Sequence, residues 1–319
     1  MTVSINGVAQ IGEYGWIGDY AVPRDIYGSK WSDLGVITTA RIRSMCVSGG
    51  VVLMGDEAFH VWRSLDEGIT WIDLGVITTA IINAIISLSE GIVLLADSAR
   101  HVWRSLDDGA TWADLGTPSA TSASSFVYLG SGIVLMGTSG VTIYRSIDYG
   151  LTWTNLGAIC TGGKHGLVYL GDGVVVAGDV NGYIYRSKDY GLTWTNICNI
   201  PTLQTIRMVY LDRGIIIAAG VNGHIYRSPD YGLTWVDLGW SSGDVTYSLT
   251  YLGQGVVIAG RSGSAWRSND YGLTWQDLGV VSPAALPGLE ASAYLGEGIM
   301  VFGAYDFHVY RSDVVMGLR

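Results

Sequence analysis

Tyr226-Arg227-Ser228-Pro229-Asp230-Tyr231-Gly232-Leu233-Thr234-Trp235 is one copy of a unit that recurs along most of the 319-residue chain. Its pattern, Ser-x-Asp-x-Gly-x-Thr-Trp, returns at Ser64 to Trp71, Ser105 to Trp112, Ser146 to Trp153, Ser187 to Trp194 and Ser268 to Trp275. The closing tryptophans Trp71, Trp112, Trp153, Trp194, Trp235 and Trp275 lie 41, 41, 41, 41 and 40 residues apart. A period held this closely marks an array of repeats, each of which buries its apolar faces only against its neighbours. A seventh copy is divided. Trp31 stands 40 residues before Trp71 and is followed by Ser32-Asp33-Leu34-Gly35, like Ile72-Asp73-Leu74-Gly75. Tyr310-Arg311-Ser312 supplies the front half at the far end.

One repeat reads as four strands. Leu167 to Leu170 is the first, followed by the turn Gly171-Asp172-Gly173; Val174 to Ala177 is the second. Tyr183 to Ser187 and Thr193 to Ile197 are the third and fourth, joined by the turn that holds the repeated Asp. Second strands such as Val51-Val52-Leu53-Met54 and Ile215-Ile216-Ile217-Ala218 are apolar on consecutive residues, so both faces must be buried. Sheets stacked radially around an axis meet that demand. The expected fold is therefore all-β, a seven-bladed β-propeller of four-stranded antiparallel blades over residues 26–319, with the Trp31 strand completing the last blade. Residues 1–25 do not match the repeat and read as an extended, Gly- and aromatic-rich arm packed on the ring.

Composition excludes several roles. Net charge is −10 with a pI near 4.8, which argues against nucleic acid, since phosphate binding needs a basic surface. No apolar run approaches the roughly 20 residues of a membrane span, and Met1-Thr2-Val3-Ser4 lacks the basic start and apolar core of a signal peptide. Synthesis in the cytoplasm is expected, with association with a virion or export by a non-classical route as settings. Cys46, Cys160 and Cys198 show neither a repeated pairing nor metal-ligand spacing, and read as three free thiols. No cofactor or metal is implied.

The box resembles the Asp-box of the BNR repeat, matched fully in six copies. That resemblance implies the propeller fold. It is far less specific for function, because the box is shared by sialidases, xyloglucanases, sortilin-type receptors and photosystem II assembly factors. The residues agree with a structural role. An Asp in a turn accepts backbone N–H groups, Gly permits the left-handed conformation, and Trp supplies apolar area. Asp66, Asp107, Asp148, Asp189, Asp230 and Asp270 are read as scaffold, as are the repeated arginines Arg63, Arg104, Arg145, Arg186, Arg227, Arg267 and Arg311.

Residues that break the repeat are those that symmetry does not explain. Alternation of strand direction puts the box turns on one face and the inter-repeat loops, with the second-to-third turns, on the other. On that second face Arg43, His165, Arg207, Trp240, Asp244, Tyr247 and Arg261 are the candidate ligand-binding set. Trp240 stands where other repeats place Val76, Thr117, Ala158, Asn199 and Val280, and would serve as a stacking platform for a sugar. The reading is a non-catalytic propeller that recognises a glycan or surface ligand, free to form a homo-oligomer. A structural subunit of a larger assembly is the alternative. A sialidase-like hydrolase is the second alternative, using Arg43, Arg207 and Arg261 on a carboxylate with Tyr247 and Glu290. It is disfavoured because the Phe/Tyr-Arg-Ile-Pro start of such enzymes is absent, Val22-Pro23-Arg24-Asp25 being the nearest string, and because they have six blades.

Overall fold

The computed structural model describes residues 14–17, 20–23, 30–163, 166–200, 205–220, 223–239, 245–282 and 288–312. It is a ring of seven four-stranded antiparallel sheets, and the described residues contain no helix. Blade 1 runs Ile42–Ser48, Val51–Asp56, His60–Ser64 and Ile72–Val76. Blade 2 runs Ile82–Ser87, Val93–Asp97, Val102–Ser105 and Ala113–Asp114. Blade 3 runs Ala123–Gly130, Ile133–Thr138, Thr142–Ser146 and Thr154–Ala158. Blade 4 runs Gly166–Gly171, Val174–Gly178, Tyr183–Ser187 and Thr195–Asn199, within two residues of the sequence expectation. Blade 5 runs Thr205–Tyr210, Ile216–Gly220, Ile225–Ser228 and Val236–Asp237. Blade 6 runs Ser248–Gly253, Val256–Gly260, Ser264–Ser268 and Gln276–Val280. Blade 7 joins Leu289–Gly296, Ile299–Ala304 and His308–Ser312 to Trp31–Val36 from the other end of the chain.

The closure is the one the split repeat demands. Trp31 pairs with Ser312, Ser32 with Arg311 and Asp33 with Tyr310, so the N-terminal strand covers what would be an open edge. First strands of adjacent blades pack on one another around the ring and so line the axis. Second strands are buried on both faces: Val52, Leu53 and Met54 are all fully inaccessible. Met54 and Val52 face blade 7, while Leu53 faces blade 2. Seven such apolar clusters fill the seven interfaces, each drawing on two neighbouring blades.

The box is a closed turn. In blade 3 Ser146 Oγ donates to Asp148 Oδ1 (2.7 Å), the Thr152 N–H donates to the same oxygen (2.9 Å), and Thr152 Oγ1 donates to Oδ2. Trp153 Nε1 then donates to Gly150 O at 3.0 Å. The glycine is required twice over. Gly150 sits at φ +83°, and a Cβ there would lie 2.5 Å from a Leu94 methyl of blade 2. The repeated arginines staple the ring. Nε of Arg63, Arg104, Arg145, Arg186 and Arg227 donates at 2.9–3.1 Å to a carbonyl in the next blade's box turn, those of Asp108, Tyr149, Tyr190, Tyr231 and Tyr271. Arg311 does the same to Glu67 across the closure. Arg267 precedes the blade whose box is split, and its Nη2 donates to Gln276 Oε1 at 2.9 Å.

Four histidines are also scaffold. His60, His101, His224 and His308 each place Nδ1 2.8–3.0 Å from the carboxylate of Asp73, Asp114, Asp237 or Asp33 on the neighbouring outer strand. Tyr14–Ile17 and Tyr20–Pro23 form a two-stranded ladder, Tyr14 paired with Pro23 and Ile17 with Tyr20. Pairing within the chain satisfies the backbone groups of these strands locally. The three cysteines are free thiols, and burial pushes those of Cys46 and Cys160 up to about 12.

Candidate ligand-binding site

Where the first strand of a blade enters the ring, the pairing with the second strand skips one residue. Partners jump from Ile42 to Ser44, Ile82 to Ala84, Ala123 to Ser125, Thr205 to Arg207 and Leu289 to Ala291. A bulge bends the strand and re-aims the extra side chain. The skipped residues are Arg43, Asn83, Ser124, Ile206 and Glu290, and the four polar ones line one cavity at the axis. Tyr247, just ahead of the blade 6 first strand, lines it as well. These positions are 40, 41 and 43 residues apart where consecutive, and counting 41 onward from Ser124 reaches His165, then Ile206.

The cavity has a volume of ≈ 600 Å³, within the size range of small-molecule sites, and every blade contributes to it. It opens on the inter-blade face, because it is bounded by the entry ends of first strands and by Ser98 and Ser139 of the second-to-third turns. Its wall is divided. Blades 5, 6, 7 and 1 supply Arg207, Tyr247, Glu290, Arg41 and Arg43; blades 2 and 3 supply Asn83, Ser98, Ser122, Ser124, Ser125 and Ser139. One side is therefore ionic and the other hydroxyl-rich.

The ionic side is a network. Glu290, only 5% exposed, bonds Arg41 Nη2 through Oε1 and lies 3.7 Å from Arg43 Nη1 through Oε2. Glu57 lies 3.7 Å from both arginines on their other side. The Arg41 guanidinium also covers the Tyr305 ring at 4.3 Å. Burial alone would lower the Arg41 pKa, but the bond and charge of Glu290, aided by Glu57 and Tyr305, outweigh it and raise the value. Nε of Arg41 is buried without a hydrogen-bond partner, a donor whose burial costs stability until something accepts from it. Arg207 Nε donates to Tyr247 O at 2.7 Å. Desolvation draws its pKa down, against the pull of Glu290 and reinforced by Arg43 and Arg41; an arginine nonetheless stays cationic.

Arg207 is the residue that breaks local symmetry most. It pairs with Ala219, and the residues in that register elsewhere are Ser44, Ala84, Ser125, Gly166, Ser248 and Ala291. Six blades keep a small residue there; blade 5 alone projects a guanidinium.

Of the seven residues selected from the sequence, Arg43, Arg207 and Tyr247 are brought together here. His165, Trp240 and Asp244 lie outside the described residues. Arg261 is elsewhere: it is 1% exposed, with its guanidinium 5.8 Å from the Trp266 ring centre. Its register explains this. Asp56, Asp97, Thr138, Asp179 and Gly220 precede it at successive intervals of 41, and Asp56, Asp97 and Asp179 are buried turn caps. Arg261 thus occupies an internal position of the repeat. Arg41, Glu290, Asn83 and Ser124 were not in the selected set, and the bulge spacing is the signal that reaches the last three.

The third strand and box turn of blade 4, residues 184–197, match the family model described as BNR-Asp box repeat. This is a seven-bladed β-propeller built of Asp-box repeats. Among curated proteins none matches the chain. Among solved structures the propeller is similar to YCF48 bound to D1 peptide, with 19% identity, 89% of this chain and 97% of that one covered, and a TM-score of 0.73. YCF48 from Cyanidioschyzon merolae is similar at 16% identity, 88% and 98% coverage and TM-score 0.70. The WD40 β-propeller domain of Doa1 is similar at 14% identity, 88% and 96% coverage and TM-score 0.72. At these identities the likeness establishes the fold.

Proposed function

We propose that this propeller is a non-catalytic binding protein that takes an acidic glycan in the axial cavity of its inter-blade face. The observation that carries the reading is the divided wall. Arg41, Arg43 and Arg207 supply charge for a carboxylate, while Asn83 and the serines of blades 2 and 3 face them across one opening with hydroxyl and amide groups. A sugar acid presents the same division, one carboxylate and several hydroxyls. The non-catalytic part rests on Glu290. A sialidase-like assignment needs that carboxylate as the partner of Tyr247, and here it is committed to Arg41 and Arg43. Both side chains do flank Gly288, where a Cβ would meet each at 3.3 Å, so the exclusion is one of engagement rather than distance.

The test is equilibrium titration with glucuronate and glucose. The wild type should prefer glucuronate, and Arg43→Gln should weaken glucuronate about tenfold or more while leaving glucose unchanged, as expected for a charge-assisted bond of about 1.5–3 kcal/mol. Equal binding of the two sugars by the wild type, or none of either, would remove the glycan reading. Turnover of a sialoside would remove the non-catalytic one. A second reading is a peptide ligand, which a similar fold binds in the YCF48 complex with D1 peptide. Preference for a peptide carboxylate over both sugars is the outcome that favours it.

A further inference from the structure

We infer that Glu290 is a resident counter-anion that holds the carboxylate seat of the cavity and sets which anions can enter. The inference rests on the axial cavity being the binding site proposed above. Three observations lead to it. Glu290 stands at a bulge and lines the cavity together with the skipped residues Arg43, Asn83 and Ser124 of other blades, so its position is a ligand-facing one. No rule of the repeat asks for an acid there, since its counterparts in the sequence are Arg43, Asn83, Ser124, His165, Ile206 and Tyr247. Its oxygens are met by arginines of the next blade in the manner of a bound carboxylate, one bonded to Arg41 and the other 3.7 Å from Arg43.

The charge count gives the consequence. Arg41, Arg43 and Arg207 against Glu57 and Glu290 leave one net positive charge in the network, three minus two. An entering carboxylate must compete with Glu290 for Arg41 and Arg43. A weak monovalent anion such as acetate gains little from the exchange. A sugar acid gains more, because its hydroxyls also meet Asn83 and the serines. Glu290 therefore discriminates: it suppresses binding driven by charge alone and leaves binding that adds the hydroxyl wall.

The experiment compares wild type with E290Q, an isosteric change that keeps an acceptor for Arg41. Affinities for acetate, glucuronate and glucose are measured by titration at low ionic strength, with melting temperature recorded for each protein. Acetate affinity should rise at least tenfold in E290Q, with glucose unaffected, and the glucuronate-to-acetate ratio should narrow. The gain should disappear in the double variant R43Q/E290Q. Unchanged or weaker acetate binding by E290Q overturns the inference, and so does a gain that survives in the double variant. A lowered melting temperature without gained affinity would make Glu290 a brace between blades 7 and 1 and would also overturn it. If acetate behaves as expected while neither protein distinguishes glucuronate from glucose, the counter-anion stands and the glycan reading fails.

Discussion

At the scale of single residues the clearest feature is how fully each box aspartate is committed. Burial would raise the pKa of Asp148, but the side-chain and backbone bonds from Thr152, with those from Ser146 and Leu151, outweigh it and hold the carboxyl below its ordinary value. Asp66, Asp107, Asp189, Asp230 and Asp270 are lowered for the same reasons. A carboxyl depressed on folding adds stability that is complete above its unfolded pKa of about 3.9 and is lost as pH falls through the folded value. The melting temperature should therefore drop steeply below about pH 4. Asp148→Asn should lower it by a constant amount above about pH 5, and the gap from wild type should close toward pH 2. Calorimetry across pH 2–7 checks this; a gap that does not close would mean the aspartate acts through something other than its charge. These aspartates, and the arginines that accompany them, were legible in the sequence because six equivalent copies cannot each be a site. The burial of Arg261 was not legible, for the complementary reason. This arginine differs from its counterparts in chemistry while sharing their internal position, and only its interval of 41 from Gly220 betrays that.

At the scale of strands and turns, two glycines separate backbone conformation from packing between blades. Gly150 and Gly157 have nearly the same φ, +83° and +84°. A Cβ on Gly157 meets nothing within 4 Å, whereas one on Gly150 meets the buried Leu94 of the neighbouring blade. Gly157→Ala should cost about 1–2 kcal/mol, the penalty of a left-handed L-residue. Gly150→Ala should cost about 2–5 kcal/mol because overpacking is added to it. Urea denaturation of both variants gives the difference; equal costs would mean that the blade interface yields freely. The strands and their turns were readable because apolar runs and Gly turns are local signals. The bulges were not. A skip in pairing belongs to the relation between two strands, and the interval between bulge residues changes from 41 to 40 before Asn83 and to 43 before Glu290, which blurs the register of the axial side chains.

At the scale of the whole molecule, stability depends on the ring being shut. Trp31 packs its ring 4.8 Å from Phe302, and Asp33 pairs with His308, so the N-terminal strand both fills blade 7 and covers its edge. Removing residues 1–36 should lower the melting temperature by about 5–10 °C, as expected from losing a packed tryptophan in a protein of this size, and should promote association through the bared His308–Ser312 edge. Removing residues 1–29 keeps that strand and should leave the ring intact. Thermal melts with size-exclusion chromatography distinguish the two. If both deletions behave alike, closure is not what the strand provides.

The break in blade 7 falls at its box turn, so Trp31 and Ser312 stand side by side on the box face. The cavity opens on the opposite face. A tether fused directly to Trp31 or to Ser312, whether a linker to a neighbouring domain or an affinity tag on a sensor surface, would therefore grip the disc from behind. Cut to residues 31–312, the ring could be mounted by both ends at one point and still present its mouth outward.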